Sequence, residues 1–217
     1  MAITIITGLP GFGKTSKLCE FAYKSMMTGK NVYTNFNMKN LPSNIQHLYH
    51  HFKEPLEVLG RVQNANIYIS EVGIQMSDYV MHELPNSVWE DLSQHRHDGV
   101  NIVCDAQKKS QVAWRFWNLI QYQFHIYTSF KITKNRRIGF VRCFDPQPKG
   151  SDYGRRYWLS NPFYFNFYDT HYKLEKTSSL FDIGQEQIIA PWLDYEQERY
   201  IELLKQTKNL PEGRLNA

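Results

Sequence analysis

Gly8-Leu9-Pro10-Gly11-Phe12-Gly13-Lys14-Thr15 is the stretch of sequence that decides the fold. It matches the phosphate-binding pattern G-x-x-x-x-G-K-[ST] at every position, and it lies between a β-branched run at residues 3–7 and a helical pattern at residues 14–27. Glycines let the backbone point its N–H groups at a phosphate, and the following helix adds the positive end of its dipole. The pattern predicts a nucleotide-binding loop of Gly8, Leu9, Pro10, Gly11, Phe12, Gly13, Lys14, Thr15 and Ser16.

Two side chains of this loop have predicted chemical roles. Lys14 would neutralise the β- and γ-phosphates of a nucleotide, and the hydroxyl of Thr15 would hold Mg²⁺. A glycine-rich turn that happens to precede a lysine would give the same letters, but it would not require a strand before it and a helix after it. We therefore expect this loop to bind a nucleotide together with Mg²⁺.

Further strands alternate with helical segments after the loop. Residues 31–34, 66–70 and 99–105 have the pattern of short strands, and residues 88–97 have that of a helix. Strands that alternate with helices form a parallel sheet, because each right-handed crossover returns the chain to the same direction. The predicted fold class is α/β, with a three-layer, doubly wound, mainly parallel sheet.

The pattern changes beyond about residue 120. Residues 124–130, 137–144 and 156–168 are aromatic-rich, alternating segments separated by turn-forming residues, which predicts antiparallel strands appended to the sheet. Residues 192–208 have the apolar spacing of an amphipathic helix. We therefore expect an antiparallel extension followed by a C-terminal helix.

The length and composition of the chain fit one folded domain. Its 217 residues are 42% hydrophobic and carry a net charge of +4, which permits contact with nucleic acid without requiring it. We expect one domain over residues 1–217, with a core at about 1–130 and the extension and C-terminal helix at about 131–210. Three widely spaced cysteines without a C-x-x-C pair predict neither a disulfide framework nor a zinc site. No apolar run is long enough to predict a transmembrane helix.

A second polar site follows the strand predicted at residues 66–70. Hydrolysis needs one carboxylate that orients Mg²⁺ and another that polarises the attacking water. Here Ser70 stands where an aspartate is usual, and Glu71 occupies the position of the catalytic base. We expect Ser70 to contact the metal through water and Glu71 to lie near it as the base. Alternatively, Glu71 merely faces solvent at the end of a strand.

Residues 93–107 supply further candidates. Gln107, just past a predicted strand, would lie on the γ-phosphate side of the sheet and sense that phosphate or position water. Arg96 would act as an arginine finger on a neighbouring subunit. His95 and His97 do not share a face of a helix, which favours a structural or inter-subunit role over zinc ligation.

These features together resemble a known family. They are the strand and phosphate loop at the start, the strand that ends in Ser70-Glu71, and His95-Arg96-His97-Asp98-Gly99, which leads through an apolar strand to Ala106-Gln107. The chain resembles the zonular-occludens-toxin-like (Zot) assembly ATPase domain of filamentous bacteriophages over residues 3–107. The histidine-arginine-histidine segment is the more specific part of this resemblance, since phosphate loops are widespread.

The resemblance implies an additional-strand P-loop ATPase of the FtsK/HerA type that binds ATP and Mg²⁺ and works as a homo-oligomeric ring. It implies a motor for virion assembly, which couples ATP hydrolysis to the extrusion of a single-stranded DNA phage. Such a motor would lie in the host cytoplasm at the inner membrane, with phage assembly and host inner-membrane proteins as partners. Ser70 and Ala106 depart from the aspartate and threonine that are usual in the family, and a looser echo of it lies at residues 168–172.

Two other functions stay open. A viral DNA-packaging or DNA-translocating ATPase would grip single-stranded DNA or a DNA–protein complex with the basic and aromatic residues at 131–137 and 155–158. Basic hairpin tips are more often solvated turns. A nucleotide-gated scaffold with little turnover is the other function, because Ser70 lacks a carboxylate. The preference for ATP over GTP rests on the resemblance.

Overall fold

In the described residues, eight strands form one sheet in the order β3-β2-β4-β5-β1-β6-β7-β8. The computed structural model describes residues 1–76, 86–133 and 136–168, all of which belong to one unit, Met1–Thr177. The strands are β1 (Ile3–Gly8), β2 (Asn31–Thr34), β3 (Tyr49–His51), β4 (Ala65–Ile69), β5 (Asn101–Ala106), β6 (Tyr122–Thr133), β7 (Arg136–Phe144) and β8 (Asp152–Leu159).

The helices of the described residues are one long helix and several short ones. They are α1 (Lys14–Met27), α2 (Ser43–Gln46), α3 (Val72–Gln75), α4 (Asn86–Gln94) and α5 (Trp114–Trp117), together with 3₁₀ helices at Pro55–Glu57, Lys109–Gln111 and Pro162–Phe167.

The sheet is mainly parallel. The six strands from β3 to β6 pair in parallel, and β7 and β8 continue the sheet as antiparallel strands. This confirms the predicted α/β class with an antiparallel extension. Strand β5 lies between β1 and β4, which is the additional-strand arrangement that the resemblance implied.

Helices cover both faces of the sheet. On one face, Leu18 and Ala22 of α1 pack against Ile6 of β1 and Tyr68 of β4 in a buried apolar cluster. Because successive side chains of a strand point to opposite faces, Ile67 lies on the other face, where it shares the lining of a small cavity with Leu92 of α4. The sheet is therefore the middle one of three layers, as predicted.

The strand order brings three strand ends to one edge of the sheet. Ile6 of β1 pairs with Asp105 of β5, and Ile69 of β4 pairs with Cys104 of the same strand. Because these strands are parallel, their carboxyl ends meet where the phosphate loop begins. The residues that follow β4 and β5 therefore face the loop.

Two predicted segments differ from the structure. The aromatic run at residues 156–168 is a strand only up to Leu159, because Pro162 has no N–H for a ladder and the side chain of Asn161 accepts a hydrogen bond from the N–H of Phe163. The chain then forms a 3₁₀ helix, whose Phe167 stacks on Tyr23 with ring centroids 4.7 Å apart. The second segment, predicted as residues 124–130 of the extension, is part of the longer β6, which also pairs in parallel with β1.

Three expectations concern parts of the chain outside the described residues: the helix at 192–208, most of the echo at 168–172 and the single domain over 1–217, which stay predictions. Among the described residues, no helix combines the length and the apolar character that crossing a bilayer requires.

Candidate nucleotide-binding site

The phosphate loop connects β1 to α1 through a left-handed backbone. Gly11 and Gly13 have φ angles of 77° and 85°, which would cost a residue with a Cβ atom roughly 1–2 kcal/mol each. Gly13 is the N-cap of α1 and brings no side chain to the first turn, and this turn contains no acidic residue. The free N–H groups of a 14-residue helix are therefore directed toward the loop and favour an anion there.

Lys14, the first residue of α1, turns its side chain back over the loop. Its Nζ donates to the carbonyl oxygens of Gly8 at 2.9 Å and Leu9 at 3.2 Å. Burial lowers the pKa of Lys14, while the carboxylates of Asp105 and Glu71 oppose this shift. The ammonium group thus lies between the loop and two acidic side chains, where a phosphate chain would enter.

Ser70, just after β4, is fixed beside Thr15. The N–H of Ser70 donates to Asn35 Oδ1 at 2.7 Å, and Asn35 Nδ2 donates back to the Ser70 carbonyl at 2.8 Å. The two hydroxyl oxygens of Ser70 and Thr15 are 3.4 Å apart. The structure therefore brings together the two hydroxyl groups that the sequence assigned to the metal, and the Tyr168 side chain also hydrogen-bonds Thr15.

Glu71 lies at a left-handed turn between β4 and α3. Its φ of 53° is unusual for a residue with a side chain, and its N–H donates to Asp105 Oδ1 at 2.8 Å. The Glu71 side chain is exposed and lines the cleft in front of the loop. A base and a residue that merely faces solvent both fit this place in the cleft, so the role of Glu71 as the base stays a prediction.

Asp105, near the end of β5, is a residue of the site to which the sequence analysis gave no role. It is only 1% exposed, and besides the Glu71 N–H it is hydrogen-bonded by the Ser70 side chain. Burial raises the pKa of Asp105 to about 6, against the effects of the Glu71 N–H, of Lys14 and of Ser70. A carboxylate within an otherwise apolar strand was the signal that could have identified it.

The cleft in front of the loop has a volume of about 560 Å³, within the range of roughly 300–1,000 Å³ that is common for ligand sites. Gln107 is exposed and lines this cleft, and its place on the γ-phosphate side stays a prediction. Four aromatic side chains line it as well and offer flat apolar surface to a nucleotide base: Phe12, Trp158, Phe165 and Tyr168.

Arg137 of β7 also lines the cleft, although the sequence analysis assigned it to nucleic-acid contacts. Its Nη1 donates to the carbonyl oxygen of Gly11 at 2.7 Å. The Arg137 N–H donates to Ser160 Oγ and its carbonyl accepts from the Ser160 N–H, so the residue after β8 fixes the backbone. The sequence alone could not show this, because the contact depends on β6 pairing with both β1 and β7.

Arg96 lies away from this cleft. It is exposed and precedes the amino end of β5, and the adjoining Asp98 carbonyl accepts from the N–H of Asn64 just before β4. It therefore lies at the edge of the sheet opposite the loop, so its role as a finger for a neighbouring subunit stays a prediction. His95 is buried, and its Nδ1 is 2.7 Å from the Leu92 carbonyl oxygen, which fits a structural role.

The donor set of the site suits Mg²⁺. Thr15 and Ser70 offer hydroxyl oxygens, and Asp105 and Glu71 offer carboxylates, which are the hard oxygen ligands that this ion prefers. The described residues contain no cluster of three or more histidine, cysteine, aspartate or glutamate side chains around one point. Such a small donor set is typical of sites where nucleotide phosphates and water complete the coordination of the ion.

A complete phosphate loop between β1 and α1, in a parallel sheet with an additional strand between β1 and β4, defines a P-loop NTPase fold. No protein-family model matches the sequence. No curated protein matches it either.

Solved structures show a similar fold. The N-terminal domain of zonular occludens toxin from Neisseria meningitidis has a TM-score of 0.53 and 15% identity, with 77% of this chain and 98% of that chain covered. The resemblance to this family is therefore confirmed at the level of the fold. The genome-packaging NTPase B204 from Sulfolobus turreted icosahedral virus 2 matches at a TM-score of 0.47 and 8% identity, covering 74% of this chain and 97% of that one.

Proposed function

We propose that this chain is an ATPase, which binds ATP with Mg²⁺ at the phosphate loop and hydrolyses it. The observation that carries the proposal is the meeting of three strand ends: Lys14 and Thr15 after β1, Ser70 and Glu71 after β4, and Asp105 on β5. Lys14, Thr15, Glu71 and Asp105 line one cleft, and the buried Ser70 hydroxyl lies 3.4 Å from that of Thr15, as phosphoryl transfer to water would require.

Each residue of the site has a separate role in the proposed reaction. The loop N–H groups and Lys14 hold the phosphates. Thr15 with Ser70 would hold Mg²⁺, which would supply positive charge to stabilise the transition state. Glu71 accepts a proton from the attacking water, while Gln107 orients that water. Arg137, once it exchanges the Gly11 carbonyl for a phosphate oxygen, supplies a cation to the γ-phosphate from within the same subunit.

The physiological role we propose is virion assembly. The fold shared with the zonular occludens toxin domain and the His95-Arg96-His97 segment support a motor of the Zot-like type. In that role the chain works as a homo-oligomeric ring at the cytoplasmic face of the host inner membrane, with phage assembly and membrane proteins as partners.

A second candidate function is the translocation of DNA by the same ATPase. One observation favours it: Tyr157 of β8 is 70% exposed, and both Arg155 and Arg156 beside it are exposed as well. Arginines bind phosphates, and an exposed aromatic ring stacks on bases. Salt-dependent DNA binding that is lost in an Arg155→Ala/Arg156→Ala variant but kept in Arg137→Ala would support this function.

The test of the ATPase is Mg²⁺-dependent phosphate release from ATP across a series of protein concentrations. Release by the wild-type protein and its loss in Lys14→Ala are the expected results, because that variant removes the cation that holds the phosphates. Tight ATP binding without any release would instead make the chain a nucleotide-gated scaffold. Absence of ATP binding would contradict the proposal as a whole.

A further inference from the structure

The site contains a buried carboxylate, Asp105, on β5, whereas the metal-orienting carboxylate was expected just after β4. Strand β4 ends at Ile69, and the next residue, Ser70, offers a hydroxyl group where a metal-orienting acid would be expected. Strand β5 lies directly beside β4, with Ile69 paired to Cys104, so the next residue of each strand, Ser70 and Asp105, are neighbours. The Ser70 side chain hydrogen-bonds Asp105.

The hydrogen bond between Ser70 and Asp105 has a defined donor and acceptor. An ionised carboxylate only accepts hydrogen bonds, so the Ser70 hydroxyl donates its one proton to Asp105. The oxygen of Ser70 is then free to accept the proton of Thr15, whose Oγ1 is 3.4 Å away. A Thr15 hydroxyl that donates toward Ser70 keeps a lone pair for a cation, besides its hydrogen bond with Tyr168. The three side chains thus form a relay from Thr15 through Ser70 to Asp105.

The position of Asp105 is fixed on every side. It is only 1% exposed, its Oδ1 accepts from the Glu71 N–H at 2.8 Å, and the Lys14 ammonium contributes a favourable charge. A buried carboxylate is costly unless such partners hold it. Asparagine could accept the same Glu71 N–H, so the backbone turn alone does not require an acid here.

We propose that Asp105 is the acidic positioning residue for Mg²⁺ in this chain, acting through Ser70 on Thr15, so that β5 rather than β4 carries this carboxylate. The inference rests on the proposed nucleotide site. It explains how Ser70 is compatible with a metal-dependent reaction: the carboxylate that β4 lacks is supplied by the neighbouring strand.

The test compares how strongly metal enhances nucleotide binding in the full-length protein and its variants. The binding of a fluorescent ADP analogue is measured in EDTA and in Mn²⁺, and bound Mn²⁺ is counted by electron paramagnetic resonance. In Asp105→Asn we expect the ratio of binding in Mn²⁺ to binding in EDTA to fall on the order of tenfold or more, as for other residues behind a metal ligand.

Four further variants separate a positioning role of Asp105 from a purely structural one. Ser70→Ala should lower the enhancement as much as Asp105→Asn, and the double variant should lower it no further, because both side chains act through one relay. Ser70→Asp combined with Asp105→Asn returns a carboxylate to β4 and should restore Mn²⁺ binding. Asp98→Asn, which removes a carboxylate at the opposite edge of the sheet, is the matched control and should leave the enhancement unchanged.

The outcomes that contradict the inference are distinct from failure of the proposed function. Wild-type enhancement in Asp105→Asn overturns the inference while leaving the nucleotide site intact. No ADP binding by the wild-type protein in either condition overturns both. If circular dichroism shows that Asp105→Asn is unfolded, the folded Ser70→Ala protein decides: loss of the enhancement by Mn²⁺ supports the inference, and wild-type enhancement overturns it.

Discussion

At the scale of single residues, the site combines one buried acid with one exposed acid a few ångströms apart. Asp105 is held inside by the Glu71 N–H, and the Glu71 side chain extends into the cleft from a left-handed turn. The two carboxylates thus lie in different environments: that of Asp105 is buried, and that of Glu71 is exposed. We expect the buried one to position and the exposed one to exchange protons with water, and each expectation can be tested separately.

Asp105 is predicted to reduce the stability of the nucleotide-free protein at neutral pH. Burial raises its pKa to about 6, above the ordinary value of 3.8, so the folded state binds the proton more tightly than the unfolded state. Its contribution to stability is therefore complete below about pH 4 and is lost as the pH rises through 6. Asp105→Asn should be the more stable protein at pH 8, by on the order of 2 kcal/mol.

Thermal unfolding of the wild type and of Asp105→Asn between pH 4 and pH 8 measures this difference. We expect the gap between the two melting temperatures to close toward pH 4, with Asp98→Asn as the control. A variant that is less stable at pH 8 would show that the hydrogen bonds of the carboxylate outweigh the cost of its burial.

Glu71 is predicted to act in the chemical step alone. Glu71→Gln keeps the size of the side chain and the backbone N–H that fixes Asp105, but it removes the base. Phosphate release should fall by roughly 10²–10⁴-fold, while ATP affinity should change little. The measurement is single-turnover release beside equilibrium binding, and equal losses in both would contradict the assignment.

At the scale of elements, the antiparallel extension completes the nucleotide site. Arg137 of β7 contacts the phosphate loop at Gly11, and Trp158 of β8 lines the same cleft. The strands that the sequence analysis treated as an appendage therefore form one wall of the site. This arrangement exists because β6 pairs with β1 on one side and with β7 on the other.

At this scale, we predict that Arg137 of β7 contributes to the rate of hydrolysis. Arg137→Ala should lower the rate of phosphate release at saturating ATP on the order of 100-fold, because it removes a cation from the developing charge on the phosphate. Arg136→Ala is the matched control, since this neighbouring arginine is exposed and should leave the rate unchanged. Equal effects of the two substitutions would indicate a general loss of positive charge instead.

The sequence predicts the long elements, whose apolar residues recur with a clear period. It does not predict the contacts that depend on the order of the strands in the sheet. Helix α1 and strand β2 have the bounds that were predicted, because their apolar spacing and the flanking glycines mark both ends. The three residues of β3 and the four of α3 are too short to show any period. Asp105 and Arg137 were not assigned to the site because pairing between distant strands brings them to the loop.

At the scale of the whole molecule, Arg96 and the phosphate loop lie at opposite edges of the sheet. If subunits assemble head to tail in a ring, Arg96 of one copy can face the cleft of the next, whereas it cannot reach its own. Specific activity should then rise with protein concentration. Two inactive variants should also complement each other in mixed assemblies.

Lys14→Ala lacks the nucleotide site but retains Arg96, and Arg96→Ala lacks the finger but retains the site. In an equal mixture, roughly a quarter of randomly assembled interfaces join an intact site to an intact finger, so about that share of the wild-type rate should return. Phosphate release by the mixture, compared with each variant alone, is the measurement. A mixture no more active than its components would remove Arg96 from the reaction.

Strand β6 is long enough to carry a small rotation near the phosphate loop to a distant part of the sheet. Its 12 residues span roughly 40 Å, and at one end it lies against the loop so closely that a Cβ atom on Gly8 would come within 2.9 Å of the Ile126 carbonyl oxygen. The pairing of β6 with β7 is irregular between Ile126 and Thr128. From Thr128 to Thr133 the strand extends roughly 17 Å, so a rotation of about 5° at this irregularity would move the end of β6 by roughly 1.5 Å. A conformational change at the phosphate loop would thereby displace the far end of β6.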